Sequence, residues 1–176
     1  MKKTFVFISL CMISLSLKAQ QNPLNHFFDK YQSDTSFTVI NISPKMFSMF
    51  SKVNLNTGDK QADHIMDVAK KLTGLRIITK ENTRNSMQLF REANSMLTPK
   101  MDELMTIRDH GNNLKFLVDQ DKNGIIHTLV MLIGGGNEFF AMSLTGNIDL
   151  NEISEIAGNM NIQGFDQLKN MNKGNK

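Results

Sequence analysis

The sequence predicts an α+β fold: a two-layer sandwich in which a mixed sheet of five or six strands carries three to four helices, mainly on one face. Three observations lead to this prediction. Helical and β-branched segments alternate in the first half of the chain, and four short apolar runs separated by turn residues fill the second half. The length of 176 residues fits a single domain.

The first half predicts two parallel strands joined through helices. Residues 20–26 are polar and are expected to form a loose lead-in. The elements that follow are a strand at 36–42, a helix starting at Ser43-Pro44, a helix at 61–73, a strand at 75–79 and a helix at 85–97. The order strand, helices, strand is typical of a right-handed crossover, which would make these two strands parallel.

The second half predicts an antiparallel meander. Its strands are expected at 103–109, 114–119, 125–133 and 138–145, with Gly- and Asn-containing turns between them. A helix opens at Asp149, with Glu152 three residues later, and Ile162, Phe165, Leu168 and Met171 suggest a last amphipathic element. The strand at 125–133 is apolar on both faces, so its second face needs a cover, either the C-terminal element or another molecule.

Residues 1–19 have the pattern of a secretory signal peptide. Lys2 and Lys3 precede an apolar run at 4–17, and cleavage is expected between Ala19 and Gln20. The run is too short for a comfortable membrane span, which needs roughly 20 residues. A lipid anchor on Cys11 would need a small residue before it, where the chain has a leucine. The expected organisation is therefore a single domain at 20–172 with a polar tail at 173–176, exported to the periplasm or secreted.

Cleavage would change the charge and the chemistry of the chain. Losing three lysines brings the 20 basic residues down to 17, equal to the 17 acidic ones, so no charge pattern for nucleic acid remains. The only cysteine of the sequence is lost as well. A cysteine-free mature domain excludes thiolate zinc sites, cysteine nucleophiles and disulfides.

Two loops resemble known binding motifs only in part. Asp119, Asp121 and Asn123, followed by a glycine, match the first half of a calcium loop, but the twelfth position is Val130 instead of a glutamate. The expected structure is a hairpin turn in which Asn-Gly supplies the positive φ angles. The glycines at 134–136 lack the lysine and the following helix of a phosphate loop. We therefore expect no metal ion and no cofactor.

No catalytic signature is present in the sequence, so the protein is expected not to be an enzyme. The four histidines do not have the spacing of a metal pair, and neither Gly-x-Ser-x-Gly nor His-Glu-x-x-His occurs. An enzyme of unrecognised type stays a remote alternative. It would need His127, Asp119 or Arg108 to share a cleft.

Methionine is abundant, with 13 in the sequence. The segment Met46-Phe47-Ser48-Met49-Phe50 is the densest group, and it fits a helix packing on a sheet. A copper site or an adaptable apolar surface is the alternative. Met46, Phe50, Met66 and Phe90 are candidates to line a site for a small apolar ligand between helices and sheet.

Several segments resemble a family of exported bacterial proteins that is known only as domain of unknown function 4252. They are the Phe28-Asp29-Lys30-Tyr31 run, the strand at 37–42, residues 103–105 with 129–135, and the run at 143–150. The resemblance covers roughly residues 25–170 and supplies no site residues. It implies a small exported protein of a Gram-negative bacterium without an assigned activity, and its relatives' association with envelope-responsive sigma factors suits a role in envelope sensing.

The sequence therefore favours a non-enzymatic domain that serves interaction or sensing in the envelope. Its partner would be an envelope protein, or a second copy that binds through the sheet. The absence of a catalytic constellation and the doubly apolar strand at 125–133 motivate this expectation. Binding of a small apolar ligand is the alternative.

Overall fold

A computed structural model of the chain describes residues 23–50, 52 and 58–159. The helices are α1 (Pro23–Tyr31), α2 (Pro44–Phe50), α3 (Lys60–Lys71), α4 (Ser86–Leu97) and α5 (Leu150–Asn159). The strands are β1 (Thr38–Ile42), β2 (Leu72–Lys80), β3 (Asp102–Asp109), β4 (Asn112–Gln120), β5 (Ile126–Gly135) and β6 (Glu138–Ile148). The expected signal peptide, its cleavage site, the amphipathic element at 162–171 and the polar tail lie outside the described residues.

The six strands form one open antiparallel sheet in the order β1-β2-β6-β5-β4-β3. Strands β3 to β6 are consecutive antiparallel neighbours, which confirms the predicted meander. Strand β2 then pairs with β6, so the first half of the chain extends the sheet beyond the end of the meander. The fold is α+β, as predicted.

The predicted parallel pairing of the first two strands is wrong. Strand β1 runs antiparallel to β2, with Ile42 beside Leu75 and Thr38 beside Thr79. Between these strands the chain forms two helices, and α2 packs on both α3 and β2. A helix pair can return the chain to the end of the sheet that it left, whereas a crossover must carry the chain to the opposite end.

The prediction of helices mainly on one face is also wrong, because helices cover both faces of the sheet. Side chains of α1 and α4 pack on one face around Ile78, Val130 and Phe139. Side chains of α3 and α5 pack on the other face around Leu129 and Leu144. The sheet is therefore the middle layer of three, and five α-helices are described in place of the three to four expected.

The three-layer arrangement explains why the strand predicted at 125–133 is apolar on both faces. Strand β5 lies between β4 and β6, and its residues contribute to both apolar clusters. Leu129, Val130, Met131 and Leu132 are all almost completely buried. The second face of β5 thus belongs to the core of the chain, so it does not by itself indicate a partner.

Helix α1 was not expected from the sequence, which suggested a loose lead-in at 20–26. The helix presents Leu24, Phe27, Phe28 and Tyr31 to the first apolar cluster. The Phe27 ring packs edge-on against Phe139 of β6, with 6.1 Å between the ring centroids. Burial of these rings against the sheet and α4 stabilises a helix too short to form alone.

A glycine allows α4 to approach the sheet closely. A Cβ atom at Gly134 would lie 2.4 Å from the Cβ atom of Phe90 and 3.1 Å from the carbonyl oxygen of Ser86. No side chain other than hydrogen fits at that separation. The glycine run at 134–136, which resembles a phosphate loop in part, therefore begins with a glycine that packs closely against α4.

Candidate interaction surface

The two edges of the sheet differ in chemistry. Strands β1 and β3 are the first and last in the order, so each has only one neighbour among the described strands. An edge strand exposes unpaired backbone N–H and C=O groups that can bind another strand. Proteins commonly block such edges with charged side chains or with irregular pairing.

Strand β3 is protected in both ways. Its sequence, Asp-Glu-Leu-Met-Thr-Ile-Arg-Asp, carries four charged residues, and its pairing with β4 shifts register between Glu103 and Met105. The Glu103 carboxylate accepts hydrogen bonds from Lys115 Nζ at 2.6 Å and Thr106 Oγ1 at 2.6 Å. These bonds lower the pKa of Glu103, the lysine contributing most, so the edge keeps its negative charge.

In the part of the chain that the structure describes, strand β1 has no such protection. Its sequence, Thr-Val-Ile-Asn-Ile, contains neither a charged residue nor a proline, and its pairing with β2 is regular. Val39 is 38% exposed and Ile40 is 45% exposed. Helix α2 follows one residue later and exposes Met46 at 46% and Met49 at 54%.

We use the name β1–α2 surface for these four residues together: Val39, Ile40, Met46 and Met49. Across the described residues, they are four of the five large apolar side chains that are exposed, the fifth being Ile125 in the β4–β5 turn. Val39 and Ile40 point to opposite faces of the sheet, because successive residues of a strand alternate. Val39 and Ile40 therefore flank the edge of β1 from the two faces of the sheet, and Met46 and Met49 lie on the helix that follows.

The residues directly before β1 make several contacts with α1 and β2. Phe37 is buried beside Tyr31, with 4.7 Å between the ring centroids. Lys80 of β2 donates a hydrogen bond to Ser36 Oγ at 2.8 Å and lies 4.7 Å from the centroid of the Phe37 ring. Asp34 accepts hydrogen bonds from Ser36 Oγ and Ser36 N, and these lower its pKa. These contacts anchor the start of β1 to α1 and β2.

The Glu92 carboxylate joins α1 to α4 on the first face. It accepts hydrogen bonds from Tyr31 Oη at 2.8 Å and from Lys30 Nζ at 2.5 Å. Burial acts to raise the pKa of Glu92, but the two hydrogen bonds outweigh it, so the pKa lies below its ordinary value. Burial and the bond to Glu92 together raise the pKa of the Tyr31 hydroxyl.

Two of the residues considered for a small apolar ligand, Met66 and Phe90, lie on helices that cover opposite faces of the sheet. Met46 is exposed on α2, and Met66 is half-buried on α3, a helix that packs on the second face. Phe90 is buried on α4 in the cluster of the first face. The sheet thus separates α3 from Phe90. The backbone of Phe50 ends α2, and its side chain is outside the described part of the structure.

The calcium-like segment forms a turn, in which Asp121 caps the backbone. Its Oδ1 atom accepts hydrogen bonds from Ile125 N at 3.0 Å and Asn123 N at 2.8 Å. These bonds lower the pKa of Asp121, with the Ile125 bond contributing most. Asp119 lies in β4 beside Thr128, and Gly124 has a φ of 80°.

Of the residues considered for catalysis, His127 and Asp119 lie near each other on β5 and β4, and Arg108 lies away from them. Arg108 of β3 lies beside Asn113, at the start of β4, whereas Asp119 lies near the end of that strand. The exposed His127 has its Nε2 atom 3.6 Å from Asp121 Oδ2. In residues 23–50 and 58–159, no three His, Asp or Glu side chains are grouped so that they could hold a metal ion.

Within the same residues, no helix has the length and apolar character needed to cross a membrane. A search of curated proteins finds no match to the chain. The model of one protein family, described as Domain of unknown function (DUF4252), matches residues 31–156. The match runs from the last residue of α1 into α5 and includes every strand of the sheet. The chain therefore belongs to the DUF4252 family, as its sequence suggested.

Proposed function

We propose that the protein is an exported, non-enzymatic domain that binds a protein partner by strand addition at β1. The observation that carries the proposal is the contrast between the two edges. Strand β3 is charged and irregular, whereas β1 is uncharged, regular and flanked by exposed apolar side chains. An edge strand without such protection favours aggregation unless a partner covers it.

Strand addition explains why backbone and side chains are exposed together. A partner strand would pair with the outward N–H and C=O groups of β1, and these bonds supply affinity with little dependence on sequence. The side chains of the β1–α2 surface would then select the partner. Methionines suit this role because their unbranched, polarizable side chains adapt to different apolar surfaces.

Export is supported by the N-terminal segment alone. Two lysines, an apolar run at 4–17 and the small residue Ala19 make up the pattern of a cleaved leader. In the periplasm or outside the cell, the partner would be an envelope protein or another copy of the domain.

Position-specific crosslinking tests the proposal. The full-length chain carries a photoreactive amino acid at position 40, or at position 125 as the control, and is expressed in its native host. Ile125 is the matched control because it is 40% exposed, close to the 45% of Ile40, and lies in a distant turn. We expect a protein adduct from position 40 and none from position 125.

A lysine substitution completes the test. Ile40→Lys introduces the kind of charge that protects natural edges and should abolish co-purification of the crosslinked partner. Ile125→Lys should retain it. If no adduct forms at position 40, or if Ile40→Lys retains the partner, strand addition at β1 is wrong.

A further inference from the structure

We propose that residues 160–171 bind the second face of the sheet, over a row of half-buried apolar side chains near one end of strands β3 to β6. These residues follow α5 directly in the sequence and lie outside the described part of the structure. The inference concerns a different surface from the β1–α2 surface and is independent of the proposed function. The side chains that we name the apolar row are Ile107, Leu114, Ile133 and Phe140.

Strand pairing places the four side chains of the apolar row in one line across the sheet. Ile107 pairs with Leu114, Leu114 with Ile133, and Ile133 with Phe140. Residues directly opposite one another in a sheet point to the same face. Leu114, Ile133 and Phe140 pack against the apolar cluster of α3 and α5, so the row belongs to the second face.

The described helices cover the two faces unequally at this end of the sheet. Leu132 and Phe139 alternate with residues of the apolar row along β5 and β6, so they point to the first face. Both are completely buried, whereas Ile133 and Phe140 are only half-buried. The first face is therefore closed here, and the second face is partly open.

Two side-chain contacts show the direction in which α5 leaves the end of β6. The Nζ atom of Lys71 lies 2.6 Å from Glu152 Oε1, and the Nε2 atom of His64 lies 3.7 Å from Glu155 Oε2. Because Glu155 follows Glu152 in α5 while His64 precedes Lys71 in α3, the two helices are antiparallel. Helix α5 therefore turns back alongside α3, which packs on β2 and β6.

Helix α5 is too short to cover the apolar row. Along β6, Phe140 lies about 27 Å from Ile148, the last residue before the turn into α5. The ten residues of α5 span only about 15 Å. A helix formed by residues 160–171 would add about 18 Å, which is enough to reach the row.

The segment after α5 has the composition that an apolar surface would bind. Its apolar residues recur at every third position, and most of the residues between them are polar. This spacing gives a helix an apolar side and a polar side. An attached segment also has a high effective concentration, which favours it over a free partner for the same surface. The recurring apolar residues are Ile162, Phe165, Leu168 and Met171.

Photocrosslinking within the chain tests the contact directly. The full-length protein carries a photoreactive amino acid at position 165, or at position 167 as the control, since Gln167 is one of the polar residues of the segment. We expect position 165 to crosslink to peptides that contain the apolar row, and position 167 to give little of this product in mass spectrometry. Crosslinks from position 165 to the first face, to a second copy or to a different protein in their place would overturn the proposal.

Thiol labelling measures whether the segment covers the face. In the full-length chain with Cys11→Ser, Ile133→Cys supplies the only thiol. Adding Phe165→Asp should speed its reaction with a maleimide by roughly tenfold, because the cover is lost. Gln167→Asp introduces the same charge on the polar side and should leave the rate unchanged.

A thiol on the first face separates loss of this cover from general unfolding. Val130→Cys, in place of Ile133→Cys, should react slowly with and without Phe165→Asp, because Val130 is completely buried on the first face. A rate at Ile133→Cys that Phe165→Asp leaves unchanged would overturn the proposal. An equal rise at Val130→Cys would mean that the whole domain opens, and it would overturn the proposal as well.

Discussion

At the scale of single residues, Glu92 connects two helices through both of its carboxylate oxygens. Its side chain is 24% exposed, while that of Lys30 is 48% exposed. Solvent therefore screens the ion pair with Lys30, and the bond from Tyr31 is the better protected of the two. The carboxylate charge serves helix packing in this position, because a protonated Glu92 could not accept both bonds equally well.

The first prediction concerns the acid stability that Glu92 provides. Because its folded pKa lies below the ordinary value of 4.5, Glu92 stabilises the fold above that pH, and this contribution is lost as the pH falls through the folded pKa. Glu92→Gln should lower the free energy of unfolding at pH 7 by about 0.5–1.5 kcal/mol. Urea titrations from pH 7 to pH 3 measure the difference from the parent chain, which should shrink toward acid.

The control is an exposed carboxylate at the start of β6. Glu138→Gln should change the free energy of unfolding by less than about 0.5 kcal/mol. A Glu92→Gln difference that stays constant down to pH 3 would contradict a role for the ionised carboxylate.

At the scale of elements, helix α1 shows what local sequence encodes and what it leaves out. Leu24, Phe27, Phe28 and Tyr31 have the i, i+3, i+4, i+7 spacing of a buried helix face, and Pro23 stands at the first helical position. This spacing is visible in the sequence, but the Gln and Asn residues before it favour a polar lead-in. A nine-residue helix has little stability of its own, so its existence depends on contacts that local sequence does not contain.

Position within the sheet is likewise a property that no single segment encodes. The strand at 36–42 was predicted, and its β-branched residues would suit a central strand equally well. Only the pairing of β2 with β6 puts β1 at an edge and exposes Ile40. The meander was predictable because short turns join neighbours, whereas the direction of β1 depends on how α2 and α3 pack.

The second prediction tests whether α1 is part of the folded domain, since the family match begins only at its last residue. Phe27 is fully buried against Tyr31 and Phe139. Phe27→Ala should therefore lower the free energy of unfolding by about 3–5 kcal/mol in a urea titration.

The neighbouring residue provides the comparison. His26 is exposed on the same helix, and His26→Ala should cost less than about 0.5 kcal/mol. If both variants unfold at the urea concentration of the parent chain, α1 does not contribute to the core.

At the scale of the whole molecule, the central strands of the sheet make the most stabilising contacts and the edge strands make the fewest. Strands β5 and β6 have neighbours on both sides and side chains in both apolar clusters. Strand β1 has five residues, a single neighbour among the described strands, and mostly exposed side chains. Local opening should follow this gradient, because it costs least where few buried contacts are broken.

Amide hydrogen exchange can measure the gradient. At low protein concentration, the amides of Val130 and Met142 should be among the slowest to exchange, and those of β1 should exchange much faster. Amides of β1 that exchange as slowly as those of β6 in dilute protein would contradict a free edge.

The pairing of β2 with β6 has a consequence for the order of folding. Strand β2 (residues 72–80) pairs with residues 139–146 of β6. A segment of roughly 60 residues must therefore close into a loop before β1 and β2 can join the sheet. Short turns let β3 to β6 assemble first, because local contacts cost less loop entropy than distant ones. During synthesis, β1 and β2 therefore cannot join the rest of the sheet until residues 139–146 have been made, so the strand proposed to bind other molecules is exposed before the sheet is complete.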